Sequence, residues 1–202
     1  MIDGVIKYHV SHTQIPSPEF TAFHDLEALR CRLFALGLIG ETPDGIGYGN
    51  ISFRNNGERS FTITATQTGK QPHLKPNAYI HIVNYDFGTF TVFSEGEFKP
   101  SSEALSHAMI YEIHPDIQAV IHVHSAALWQ MMIKQKILAT TAEYGTAEMV
   151  REIAALYQSR NPFKYNAFVM KGHKDGIITF GKNIKEAELR LYHLIQETLN
   201  QI

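Results

Sequence analysis

The sequence predicts an α/β fold in three layers, αβα, around a central, mostly antiparallel sheet. Three observations predict it. Short apolar segments separated by turn residues fill the middle of the chain; helical apolar patterns precede and follow them; and the segment Ala119 to His124 alternates two residue types on its two faces.

In chain order, residues 11–18 are polar and proline-bearing, and residues 1–18 read as an amino-terminal extension of one domain spanning 1–202. Ala22, Leu26, Leu29, Leu33 and Leu36 follow a 4-3-4-3 spacing that builds one apolar helix face, with Ser17-Pro18 as its start and Gly37 and Gly40 as its stop. Tyr48 to Arg54 and Phe61 to Thr64 read as a hairpin turning at Asn55-Asn56-Gly57. Further strands are expected at Tyr79 to Asn84 and Thr89 to Phe93, separated by Asp86-Phe87-Gly88. A helix over 102–112 ends at His114-Pro115-Asp116 and leads tightly into the strand Ala119 to His124. A helix over 146–158, strands over 167–170 and 176–180, and a last helix over about 184–199 complete the expectation.

Composition removes several function classes. The formal charge is −2 from interspersed signs, with no basic stripe to follow a nucleic-acid backbone, so no nucleic-acid partner is expected. Cys31 is the only cysteine, which excludes an internal disulfide and a cysteine-based zinc finger, and its helical setting suggests packing. Met1 to Val10 has no basic segment followed by an apolar one, and no run is long enough to cross a bilayer. A cytoplasmic protein without a membrane partner is therefore the expectation.

On a strand, His122 and His124 project from one face while Ile121 and Val123 project from the other. Two adjacent imidazoles are half a metal site, although a polar strand face bonded to backbone is the simpler alternative. A catalytic zinc has three protein ligands and an open position, and His173 is the best third candidate because it follows a strand between Gly172 and Gly176. His9, His12, His24, His73, His81 and His114 are isolated in sequence. Glu103 stands in the first turn of a helix, where it complements the helix dipole or acts as an acid–base group. Ser101 and Ser102 cap that helix or help hold an anion, and His107, one turn on, supports the site from behind.

Gly49-Asn50-Ile51-Ser52, Thr66-Gln67-Thr68-Gly69, Ser101-Ser102-Glu103 and His122-x-His124, in this order, resemble the motifs of the class II aldolase/adducin family. Its enzymes include fuculose-phosphate and rhamnulose-phosphate aldolases, ribulose-phosphate epimerase and methylthioribulose-phosphate dehydratase. The resemblance runs from about Ala22 to Leu199. It implies a divalent ion, Zn2+ or else Mn2+, Fe2+ or Co2+, on His122, His124 and His173, with Glu103 as proton shuttle. It also implies a substrate phosphate held by Asn50, Thr68, Gly69, Ser101 and Ser102; Lys70, just after that loop, either adds charge to the phosphate or is simply solvated. The implied activity is that of a lyase, an aldolase cleaving a small ketose or ketose phosphate through a metal-stabilised enediolate, in a homotetramer with clefts between subunits. An epimerase, dehydratase or decarboxylase on the same site, or a non-catalytic adducin-like interaction domain, are the alternatives. The chain departs from the family pattern where His173-Lys174-Asp175-Gly176 replaces a His-Gly pair, and where Gln67 stands in place of a proline or small residue.

Overall fold

A nine-stranded sheet forms the middle layer of the computed structural model, which describes residues 5–55 and 59–200. The chain runs through β1 (His9–Gln14), α1 (Phe23–Ala35), the short pair β2 (Gly40–Glu41) and β3 (Gly47–Tyr48), β4 (Asn50–Arg54) and β5 (Phe61–Thr64). After a 3-10 turn at Pro76–Ala78 come β6 (Tyr79–Asp86), β7 (Thr91–Gly96), α2 (Ala104–Ile113), β8 (Ala119–His124) and α3 (Ala126–Lys134). The chain continues through β9 (Ala139–Thr140), α4 (Ala147–Tyr157), β10 (Ala167–Met170), β11 (Gly176–Gly181) and α5 (Ile184–Leu199).

The large sheet has the order β1-β7-β6-β5-β4-β8-β11-β10-β9. Every interior pairing is antiparallel, but the two edge pairings, β1 with β7 and β9 with β10, are parallel. The antiparallel expectation therefore covers the interior and not the edges. At one edge the reason is the crossover: α4 connects β9 to β10, and a strand reached through a helix returns in the same direction.

Strand alternation sends two sets of side chains into two cores. Ile51, Ile121, Val123 and Ile177 pack with Leu26, Leu29 and Leu33 of α1, Leu128 of α3 and Leu191 of α5. On the other face Phe61, Ile63, Val120 and Ile178 pack with Leu105 and Ala108 of α2 and Ile153 of α4. At about 25 cal/mol per Å² of apolar surface, these two cores are the main stabilising term. Along β8 the second face changes from Val120, inside the α2–α4 core, to His122 and His124, which line a cleft. The site thus stands where the α2–α4 layer stops covering the sheet.

Three expectations change. The first helix begins at Phe23, because the Ser17 hydroxyl is engaged elsewhere, donating to Asn77 O at 3.1 Å and accepting from Glu97 N at 3.3 Å. Residues 9–14 form the edge strand β1, which the polar composition of the segment conceals. Helix α3 has no counterpart in the expectation, since Ala126-Ala127-Leu128 and Met131-Met132-Ile133 form apolar blocks without a clean period; Ser125 starts it by accepting from Leu128 N. The expected turn at Asn56-Gly57 lies outside the described residues.

Candidate metal centre

Strands and three connecting segments, the loop at 65–69, the turn at 101–103 and the turn that carries His173, assemble the cleft. The register of β8 against its neighbours sets Asn50 of β4 opposite His122, and Gly176 of β11 opposite His124. His173 enters from the turn between β10 and β11, which is closed by bonds from His173 N to Met170 O and from Gly176 N to His173 O. The glycines of that turn act through close approach. A Cβ on Gly172 would fall 2.1 Å from Ala142 O, and one on Gly176 would fall 3.3 Å from His122 Nε2. The left-handed residue there is Asp175, with φ of 65°.

The structure brings His122, His124 and His173 together, with one ring nitrogen from each all within 4.8 Å of one another. Ring centroids are 5.0 Å apart for His122 and His124, 5.2 Å for His122 and His173, and 4.6 Å for His124 and His173. Glu103 reaches the same place from the turn ahead of α2. One carboxylate oxygen contacts His122 Nδ1, and the other is 3.3 Å from His173 Nδ1. Asn50 Nδ2 donates to Glu103 Oε2 at 2.9 Å and lies 3.1 Å from His122 Nδ1. Burial alone would raise the Glu103 carboxyl, but the His122 and His173 rings more than offset it and hold the group well below the usual carboxylate range. His122 is 1% exposed, and its Nε2 has no hydrogen-bond partner among the described residues. A buried polar atom of that kind needs an acceptor, a water or a cation. Three imidazole nitrogens at this spacing fit a divalent ion of the zinc class.

The other wall of the cleft is the loop Thr66-Gln67-Thr68-Gly69. Gln67 adopts φ of 58° and accepts from Gly47 N through Oε1 at 2.9 Å. Thr68 turns its hydroxyl back to Ala65 O at 2.9 Å. A Cβ on Gly69 would lie 2.0 Å from Gly40 O, so only glycine allows the loop to pack on the β2–β3 ribbon. Ser101 and Ser102 complete the wall. Ser101 is pinned by Tyr8, whose hydroxyl donates to Ser101 O at 2.6 Å, and its own hydroxyl accepts from Glu103 N at 3.3 Å.

Two residues of the sequence reading stand outside this wall. Lys70 is exposed, and no lysine or arginine is among the residues that line the cleft. His107 is fully buried behind it, with Nδ1 2.7 Å from Ser52 Oγ, which in turn is 2.7 Å from the Tyr111 hydroxyl. Burial pushes the His107 imidazole down to about 3, so it is neutral at ordinary pH.

Sequence reasoning does not find Arg30 or Tyr48, and it leaves Tyr144 undistinguished from Tyr165 and Tyr192. Arg30 is 1% exposed and donates to Thr68 O at 2.8 Å and to Gln71 O at 2.7 Å, fixing the loop from behind. The Tyr48 ring packs on His124 at 5.2 Å and the Tyr144 ring on His173 at 4.7 Å, each within about a third of a right angle of parallel. The only signal for Arg30 is a cation one position from Leu29 on the apolar side of the helix; the tyrosines carry none.

Residues 41–198 match the family model described as Class II Aldolase and Adducin N-terminal domain. No curated protein matches the chain in sequence. Among solved structures, an L-fuculose 1-phosphate aldolase is 22% identical with a TM-score of 0.65, over 90% of this chain and 84% of its own. The L-fuculose-1-phosphate aldolase of Thermus thermophilus is 21% identical with a TM-score of 0.59, over 87% and 88%. YgbL of Escherichia coli, described as a candidate aldolase/epimerase/decarboxylase, is 18% identical with a TM-score of 0.66, over 89% and 86%. At these identities the likeness is one of fold.

Proposed function

We propose, starting from a chain that belongs to the class II aldolase and adducin family, that this protein is a metal-dependent lyase cleaving a small ketose or ketose phosphate. The observation that carries the proposal is the cluster of buried His122 and His173 and half-buried His124 beside the ionised Glu103 carboxylate. The three histidines would hold one divalent ion, most readily Zn2+, with Mn2+, Fe2+ or Co2+ also suited to imidazole ligands. Such an ion supplies Lewis-acid stabilisation of the negative charge that gathers on the ketose oxygens as a carbon–carbon bond breaks.

The chain's own residues do the rest. Glu103, ionised and shielded from water, would take the proton of the hydroxyl whose carbon becomes the aldehyde and deliver it to the carbon that carries the charge after cleavage. General acid–base action of this kind contributes roughly 10²- to 10⁴-fold, far beyond the roughly 0.3–1 kcal/mol of a helix-dipole contact. Asn50, Ser101, Ser102, Thr68 and Gly69 surround the cleft with neutral donors suited to a phosphate or to sugar hydroxyls. His107 keeps Ser52 and Tyr111 in place beneath them. The family resemblance carries a homotetramer with it, which sedimentation checks.

Metal analysis of the purified protein beside a His122→Ala, His124→Ala variant is the first test, followed by a screen of ketose phosphates for aldehyde release. Loss of about one divalent ion per chain in the variant, together with aldehyde formation by the parent protein, is expected. Equal metal content in both proteins would falsify the metal site and favour an adducin-like interaction domain. Metal with turnover but no aldehyde would assign epimerisation, dehydration or decarboxylation to the same residues.

A further inference from the structure

Behind the loop that walls the cleft, three side chains converge that the lyase reading does not use. Glu27 and Cys31 are four residues apart on α1 and share one face of it. His73, isolated by sequence, is brought to them because Arg30 also holds Gln71 O and Pro72 O, tying this stretch of loop to the helix. Cys31 Sγ is 3.2 Å from Glu27 Oε1 and 3.2 Å from His73 Nδ1, and the three atoms all lie within 4.8 Å of one another.

A tetrahedral ion with bonds of about 2.0–2.3 Å keeps its oxygen, nitrogen and sulfur ligands roughly 3.4–3.6 Å apart. The two pairs that include sulfur, at 3.2 Å, need only a small outward adjustment to meet that condition, and the third pair lies within 4.8 Å. Glu27 is already oriented, accepting from Leu74 N at 2.8 Å through Oε1 and from the Tyr79 hydroxyl at 2.6 Å through Oε2. The contact between Cys31 and His73 faces solvent, so water can supply a fourth ligand.

We propose that Glu27, Cys31 and His73 form a second cation site, for a thiophilic divalent ion such as zinc or cobalt(II), that clamps residues 68–74 onto α1. A thiolate, an imidazole and a carboxylate together select borderline metals over magnesium or calcium. On binding, the thiol proton leaves to solvent as the sulfur–metal bond forms. Thr68 and Gly69, at the front of the same loop, line the cleft, which puts the clamp in mechanical contact with the substrate wall.

Cobalt(II) titration of the whole chain tests the site. Cys31 is the only cysteine, so thiolate-to-cobalt charge-transfer absorption in the near ultraviolet reports this cluster and not the three imidazoles. The expected band corresponds to about one cobalt ion per chain beyond any ion on the three imidazoles, saturates at about one equivalent in the His122→Ala, His124→Ala protein, and is displaced by zinc. It is absent from Cys31→Ser and requires about ten-fold more cobalt in His73→Ala. No band in the parent protein at saturating cobalt overturns the proposal, and so does a band whose affinity His73→Ala leaves unchanged. Circular dichroism confirms that each variant is folded. Should Cys31→Ser unfold, the exposed His73 still decides the matter through the His73→Ala titration.

Discussion

Glu103 Oε2 lies against His122 Nδ1 inside the protein, although Glu103 comes from the turn ahead of α2 and His122 from β8. Neither residue is more than 1% exposed. The pair, completed by Asn50 Nδ2 and the His173 ring, is the electrostatic centre of the cleft. A buried carboxylate is tolerated there because two imidazoles and an amide donor surround it.

Glu103→Gln preserves the shape of the side chain and removes its charge and its capacity to take a proton. Under the proposed lyase activity, turnover is expected to fall roughly 10²- to 10⁴-fold with bound metal unchanged. Paired turnover and metal measurements on one preparation check it. Loss of metal in parallel with turnover would make Glu103 a ligand and not a proton carrier.

Arg30 and Thr68 make a second testable relationship. From a buried position the guanidinium donates through Nη2 to Thr68 O and Gln71 O and through Nη1 to Pro72 O at 3.4 Å, and a lysine, shorter and with a single nitrogen, cannot span all three carbonyls. Arg30→Lys is expected to cost about 2–3 kcal/mol of stability, since bonds from a charged donor are lost and carbonyls are left unpaired. For a chain of this size, that lowers Tm by roughly 4–12 °C. Because Thr68 and Gly69 move with the loop, KM for a substrate identified by the aldehyde screen should rise about ten-fold while metal content holds. An unchanged KM with a lowered Tm would reduce Arg30 to a purely structural role.

The parts of this site that follow short-range rules are legible in the sequence, and those set by distant packing are not. The period of two on β8 places His122 and His124 on one face without any tertiary information. His173 is legible as a loop residue, but the geometry that brings it in is not: Gly172 is required by Ala142 O, a contact between segments far apart in the chain. Arg30 reads as one more polar residue of an amphipathic helix until the carbonyls of the 68–72 loop are seen to need it. The parallel edge strand β1 is hidden for a similar reason, because its partner β7 lies some eighty residues onward and nothing local specifies the pairing.

Glu152 of α4 anchors the loop that carries Tyr144. Its carboxylate accepts from Thr141 N at 2.5 Å, the Thr141 hydroxyl at 2.7 Å and Ala142 N at 3.0 Å. Partial burial raises its carboxyl, and these three donors outweigh that and hold it below the usual glutamate value. A carboxyl depressed on folding adds stability above the unfolded pKa of about 4.3 and loses it as pH falls through the folded value. Glu152→Gln should therefore lower Tm by roughly 2–4 °C at pH 7, for a loss of about 1 kcal/mol at this partly exposed position. The gap to the parent protein should close as pH drops below about 4. Thermal melts of both proteins across that range check the sign; a gap that widens on acidification contradicts it.

Tyr144 connects the amino-terminal segment to the metal cluster. Lys7 Nζ sits 3.7 Å from the centre of the Tyr144 ring and donates to Tyr144 O at 3.0 Å, while the Tyr144 ring packs on His173 at 4.7 Å. The Tyr144 hydroxyl accepts from Val5 N at 3.2 Å. The Tyr144 ring is thus placed to orient His173. Tyr144→Phe should leave metal affinity within about three-fold of the parent, and Tyr144→Ala should lower it about 10- to 100-fold, the range seen when a group that orients a ligand is removed. The alanine variant also opens a cavity at a cost of roughly 3–5 kcal/mol. Chelator competition is therefore run well below its Tm, where folding does not limit binding. Equal losses in the two variants would show that the hydroxyl bond to the amino-terminal segment matters and the stack does not.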